Sequence, residues 1–207
     1  MNQLYFYFDY SSPFAYLGAT QIAAAAARHD AELHLRPFLL GGLFRAIGTP
    51  MVPMQVMTPP KQRHASQDMF RWARHYGVPF AFPSRFPMNS VTPLRMTLQL
   101  EGEAQARFME RVFAGYWAED RDIASPEVLT ALAAELGLDG AALLAGCQDP
   151  AVKTKLHEAT AEAEAQGVCG APSYRVETDD GERYLFWGQD RLDLVERVLD
   201  GWRPPAG

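Results

Sequence analysis

Cysteine is scarce in this chain, basic runs are missing and no long apolar stretch occurs, and each of these absences removes a class of protein. Two cysteines in 207 residues, Cys147 and Cys169, are too few and too far apart for a disulfide scaffold or a zinc cluster. Both are expected as buried small hydrophobes, Cys169 packed behind a strand. His29, His34, His64, His75 and His157 show no metal-ligand spacing, so no metal centre is expected. Nineteen Lys and Arg against 25 Asp and Glu give a formal charge of −6, which argues against nucleic acid or a membrane surface as partner. No apolar segment approaches the ~20 residues that span a bilayer, and "MNQLYFYFDY" enters a strand pattern without a charged or apolar leader. The expectation is a cytoplasmic, globular protein, and 48% hydrophobic content is enough for a substantial core.

What is present alternates in period. Residues 3–9, "QLYFYFD", form a continuous aromatic run, the pattern of a strand buried on both faces. Residues 13–28 follow as an alanine-rich helix, and "AELHLRPFLL" alternates again as a strand ending near Pro37. A right-handed β-α-β crossover makes these two strands parallel. From Gly41 to Pro60 the Gly, Pro, Met and Thr content predicts a long loop. Residues 61–166 read as successive amphipathic helices, the first stopped by Gly77. Trp117, Phe108, Val112 and Phe113 lie at helical spacing and belong to the core. The period then returns to two in "PSYRVETDDGERYLFWG", a hairpin turning at Asp180-Gly181, and "QDRLDLVERVLDGW" closes the chain as a helix.

The junction "FDYSSPFAYLG", residues 8–18, carries the first chemical signal. Serine before proline at the end of a strand is a helix start: the hydroxyl caps an orphan N–H, and proline fits the first turn. A hydroxyl at the positive end of a helix, beyond a sheet edge, also suits an anion or a thiolate. Residues 8–18 alone leave both readings open.

The order β-α-β, helical block, β-β-α resembles the thioredoxin fold of bacterial disulfide oxidases, with an inserted all-helical domain. On this reading residues 1–42 and 167–207 form the thioredoxin-like domain and residues 43–166 the insert. Where those oxidases carry Cys-Pro-His-Cys, this chain has Ser12-Pro13-Phe14-Ala15, so both sulfurs are gone. "GVCGAPSYRV" places Pro172 where the fold has a cis-proline facing that helix start. Together with "FWGQDRLDLV" and "YWAEDRDIASPEVL", these features resemble the 2-hydroxychromene-2-carboxylate isomerases and the kappa-class glutathione transferases over nearly the whole chain.

The resemblance implies glutathione as cofactor, with Ser12 as the catalytic donor to its sulfur. It implies that the N–H and C=O of Ala171, before cis-Pro172, meet the cysteinyl part, that Gln189 and Asp190 hold the γ-glutamyl head group, and that Lys61 lies near the glycyl carboxylate. Asp190 alone also reads as the cap of the last helix. Thr49 stands where the family commonly has asparagine. Asn89 and Arg95, in "FPMNSVTPLR", match the region facing the second substrate, a small aromatic carboxylate; either equally suits a structural role in the helical block. The implied protein is a homodimeric isomerase of aromatic degradation, interconverting 2-hydroxychromene-2-carboxylate and trans-o-hydroxybenzylidenepyruvate. A kappa-like transferase and a non-catalytic thiol- or peptide-binding protein are the alternatives. A disulfide oxidoreductase is set aside, because exchange needs an attacking and a leaving sulfur at the helix end.

Overall fold

The structure, a computed structural model, describes residues 1–205. Its centre is a four-stranded sheet made of β1 (Gln3–Phe8), β2 (Glu32–Pro37), β3 (Ser173–Glu177) and β4 (Arg183–Trp187), in the order β2-β1-β3-β4. β1 and β2 are parallel, from Gln3 opposite Glu32 to Phe8 opposite Pro37. β3 is antiparallel to β1, with Ser173 opposite Tyr7, and also to β4. As the aromatic run requires, Leu4, Phe6, Tyr7 and Phe8 are all fully buried.

Between β1 and β2 runs α1 (Pro13–Arg28). Every regular element from β2 to β3 is helical: α2 (Leu40–Ile47), a 3-10 turn at Pro53–Val56, α3 (Pro59–Tyr76), α4 (Val91–Thr97), α5 (Gly102–Trp117), α6 (Pro126–Glu135), α7 (Gly140–Gly146) and α8 (Pro150–Ala165). After β4 comes a 3-10 turn, Gln189–Arg191, and α9 (Leu192–Leu199). Phe8 meets Phe113 of α5 at 5.7 Å, and Phe6 stacks on Tyr174 at 5.5 Å, so the helical segment and the sheet share one core. Phe108, Val112, Phe113 and Trp117 lie within it, as their spacing predicts.

The structure corrects the expected loop over 41–60. Leu40, Leu43 and Phe44 are the buried face of α2, a helix whose two glycines disguise it in composition. One of them is there for closeness: a Cβ on Gly42 would stand 3.3 Å from Thr160 of α8, and the Thr160 hydroxyl receives the Leu39 N–H at 3.0 Å. α2 ends on Gly48 at φ +74°, and α3 starts at Pro59, two residues earlier than expected. A boundary after residue 42 therefore falls inside α2. Gly77 stops α3 at φ +68°, and Gly181 turns the hairpin at φ +87°.

Candidate functional site

The end of β1 runs into a turn held from three sides. The Asp9 carboxylate, fully buried, accepts the Ser11 N–H at 2.9 Å and the N–H of Leu40, at the start of α2, at 2.8 Å. Burial pushes this acid up from its ordinary value, and the backbone N–H bonds oppose the shift. The Tyr10 hydroxyl pairs with Thr97 of α4 at 2.6 Å, while the Tyr10 carbonyl accepts the Trp117 indole N–H at 2.9 Å.

On this support sits Ser12, buried, with the extended backbone of a helix cap. Its Oγ accepts the Ala15 N–H at 3.1 Å and donates to the Ala171 carbonyl at 2.8 Å. Its own carbonyl accepts the Tyr16 N–H at 3.1 Å. Pro13 has no N–H to give. The Phe14 N–H is thus the first-turn donor left without a partner among the described residues.

The Ala171-Pro172 peptide bond is cis, as the resemblance implies. The structure refines what Ala171 offers. Its carbonyl already accepts from Ser12, whereas its N–H makes no hydrogen bond among the described residues. The Pro172 carbonyl accepts the Gly188 N–H at 3.0 Å, which fixes the loop after β4 beside Ala171. Gly188 has φ +104°, and a Cβ there would come within 2.6 Å of the Asp190 carboxylate. Gln189 is buried at 2% exposure, and its Oε1 accepts the hydroxyl of Tyr76, the last residue of α3, at 2.6 Å. Asp190 is exposed and pairs with Arg191. It does not cap the last helix: the chain forms a 3-10 turn first, and no side chain caps α9.

Ser12, Ala171, Pro172, Gln189 and Asp190 are thereby joined into one cluster at the end of the sheet. Among the described residues the other candidates have no hydrogen bond to it. Thr49 follows α2, its N–H bonded to the Phe44 carbonyl at 2.8 Å. Lys61 is exposed in the first turn of α3. Asn89 is exposed and accepts the Val91 N–H at 3.0 Å, serving the start of α4. Arg95 points to α7, donating to the carbonyl of its C-cap Cys147 at 3.4 Å. Cys147 is buried as expected, but Cys169 is exposed, a correction with a simple cause. Val168 is buried and Gly170 is covered by the Trp187 side chain, while Cys169 between them is left exposed.

Asp9 and Tyr76 support this cluster through hydrogen bonds, and the sequence reading does not single out either. A lone acid inside an aromatic strand was a usable signal for Asp9. Tyr76 ends an amphipathic helix, and nothing local marks its partner. A groove of about 880 Å³ lies along β2, lined also by the α4-α5 junction and α8, and contains none of the candidates. Among the described residues, no three His, Cys, Asp or Glu side chains gather where they could hold a metal ion, and no helix is long and apolar enough to cross a membrane.

A sheet of this order, with a helix start facing a cis-proline, defines a thioredoxin fold whose first helix opens on serine instead of a redox cysteine pair. Comparison with known proteins agrees: the model of the DSBA-like thioredoxin domain matches residues 3–200. The chain belongs to that family. It is 30% identical to a 2-hydroxychromene-2-carboxylate isomerase of Sphingobium xenophagum over 94% of this chain and 96% of that one. Identity to glutathione S-transferase kappa 1 of Rattus norvegicus is 26%, over 97% and 92% of the two chains. A solved 2-hydroxychromene-2-carboxylate isomerase superposes with a TM-score of 0.80 at 25% identity, covering 96% of this chain and 94% of the other.

Proposed function

We propose that this protein is a glutathione-dependent isomerase interconverting 2-hydroxychromene-2-carboxylate and trans-o-hydroxybenzylidenepyruvate, or a close aromatic analogue. One observation carries the reading: the Ser12 hydroxyl, at the start of α1, lies 2.8 Å from the carbonyl that precedes the cis-proline. The residues fit a thiol peptide. The Ala171 N–H is free to pair with the cysteinyl backbone, a short strand addition. The Ser12 O–H and the Phe14 N–H are donors at the positive end of a sixteen-residue helix.

Ser12 reaches a sulfur by turning its O–H from Ala171, whose carbonyl then depends on its second lone pair or on water. A hydrogen bond to a charged group contributes ~1.5–3 kcal/mol, and a helix start up to ~2 when partly buried. At ~1.36 kcal/mol per pKa unit, the two together lower a thiol of ordinary pKa ~8.5 by one to three units. That makes thiolate a major species at neutral pH. Bound glutathione would supply a sulfur nucleophile that adds reversibly to the conjugated double bond of the substrate, allowing the bond to rotate.

Gln189 and Asp190 are proposed to hold the γ-glutamyl carboxylate and ammonium, and Lys61 and Thr49 the glycyl end. Lys61 and Tyr76 stand fifteen residues apart on α3, about 22 Å along the axis. An extended tripeptide backbone covers about 11 Å, so in this proposal the reach of the Lys61 side chain and of the Gln189 side chain must make up the remainder. A cytoplasmic homodimer belongs to the same proposal.

Similarity to the kappa 1 transferase supports a second reading, in which glutathione is consumed by conjugation. Counting free thiol during turnover separates the two. Catalytic glutathione is expected to support many turnovers of the chromene carboxylate at constant total thiol. Stoichiometric loss of thiol, beside brisk conjugation of halonitrobenzenes, would establish the transferase instead. Glutathione binding with no turnover of either substrate class would favour a thiol-binding protein.

A further inference from the structure

We infer that Tyr76 is a positioning residue: its hydroxyl fixes the Gln189 carboxamide with Oε1 turned toward α3, so that Nε2 is presented to the γ-glutamyl carboxylate of glutathione. The inference rests on the proposed function for its ligand and on geometry for its orientation.

An amide has two ends of opposite polarity, and a buried glutamine with no fixed partner offers a ligand either one. Gln189 is buried, yet one end is settled. The separation from Tyr76 is 2.6 Å, within the range of O–H···O bonds and short for N–H···O, whose distances centre near 2.9–3.0 Å. The hydroxyl therefore donates to Oε1. The donor is also durable, because burial and the carboxylates of Asp193 and Asp190 push the Tyr76 phenol up to about 12. Its ring is held by Trp72 at 5.3 Å and His75 at 5.5 Å, both on α3.

The other end of the amide is unused. Among the described residues Gln189 Nε2 makes no hydrogen bond, and it is not sealed from solvent: the side-chain atoms both buried and unpartnered are His29 Nε2, Arg95 Nε, Tyr174 Oη and Arg175 Nε. Gln189 follows Gly188, whose N–H is bonded to the Pro172 carbonyl at 3.0 Å, and a donor left open on this loop meets a carboxylate as a partner, whereas a flipped amide would meet it with an oxygen. Tyr76 thus makes affinity for glutathione depend on α3 being docked against the end of the sheet.

Tyr76→Phe keeps the ring and removes the donor. Glutathione affinity measured by calorimetry is expected to fall about tenfold, as for the loss of one hydrogen bond to a charged group. In a Gln189→Ala background the same substitution is expected to change affinity no further. Unchanged affinity in the single variant, or additive losses in the double variant, would overturn the inference. The second measurement needs no ligand: in ¹⁵N-labelled protein the Gln189 side-chain amide resonances are expected to move on Tyr76→Phe, and identical resonances would overturn the orientation. If the native protein binds no glutathione, the functional reading falls, and these resonances alone decide the role of Tyr76.

Discussion

At the Ser12 end polar groups meet across more than a hundred residues, whereas Asn89 and Arg95 bond the ends of helices α4 and α7. The Ser12 hydroxyl meets the carbonyl of Ala171, 159 residues away, and Tyr76 meets Gln189, 113 residues away. Asn89 serves the N–H of Val91, two residues on, and Arg95 finishes α7 at Cys147. Both regions carry residue types that bind anions. The difference lies in where the unpartnered donors sit: among the described residues the Ser12 end keeps the Phe14 and Ala171 N–H groups and the Gln189 amide at the end of the sheet, while Arg95 keeps a buried Nε beside its bond to the end of α7. We propose on this contrast that Arg95 packs the helical block, with a substrate contact as the alternative.

The sharpest test of this contrast is Ser12→Ala. Turnover of the chromene carboxylate is expected to fall by about ten- to a hundredfold, the value of a lost bond to a charged sulfur. Stability is expected to fall by only ~0.5–2 kcal/mol, the value of a cap. Ser11→Ala, measured by the same assays and by thermal melts, is expected to cost much less activity. A reversed order at equal stability would place the wrong serine at the site.

Gly18→Ala probes the packing beneath the cluster. The added Cβ would stand 2.4 Å from the Tyr174 hydroxyl and 3.3 Å from the Pro172 ring, a clash expected to cost ~1–3 kcal/mol in denaturant melts. Because Pro172 is displaced, glutathione affinity is expected to fall as well. A stable variant with native affinity would show that the site tolerates movement at Pro172.

Asp9 gives a pH-dependent test. Its pKa in the fold is raised above 3.8, so the folded state keeps a proton that the unfolded chain has released. The stability this group contributes is fully present below 3.8 and is lost as pH rises through the folded value. The stability difference between native and Asp9→Asn protein is therefore expected to narrow from acid toward neutral pH, by at most ~1.4 kcal/mol per pH unit. A difference that widened would mean that the carboxylate, with its two backbone donors, is the favoured form.

Arg95→Ala is expected to have the smallest effect. Loss of one hydrogen bond to a helix-end carbonyl costs ~0.5–1.5 kcal/mol, with KM for the chromene carboxylate unchanged. A tenfold rise in KM with native stability would return Arg95 to the substrate and erase the contrast between the two regions.

Much of the fold is legible because its signals are local. A continuous aromatic run marks β1, Ser12-Pro13 the start of α1, Gly77 the end of α3, and Asp180-Gly181 the hairpin; each depends on residue preferences within a short stretch. α2 was not legible. Its Gly41 and Gly42 lower helix propensity, and the close contact with α8 that makes Gly42 useful exists only after folding. The exposure of Cys169 is equally illegible, since the burial of a single cysteine depends on which way one loop residue faces.

By itself the sequence determined the order of the strands and of the helices other than α2, the serine at the start of α1 and the proline before β3, because caps, turns and hydrophobic periods act over a few residues at a time. The tertiary structure alone decided which polar groups would be consumed and which would remain available. The Ser12 hydroxyl engages Ala171, Asp9 clamps the starts of two helices, and Tyr76 turns the Gln189 amide. Those outcomes hinge on groups brought within 3 Å of each other across as many as 159 residues, and no local periodicity encodes such a meeting.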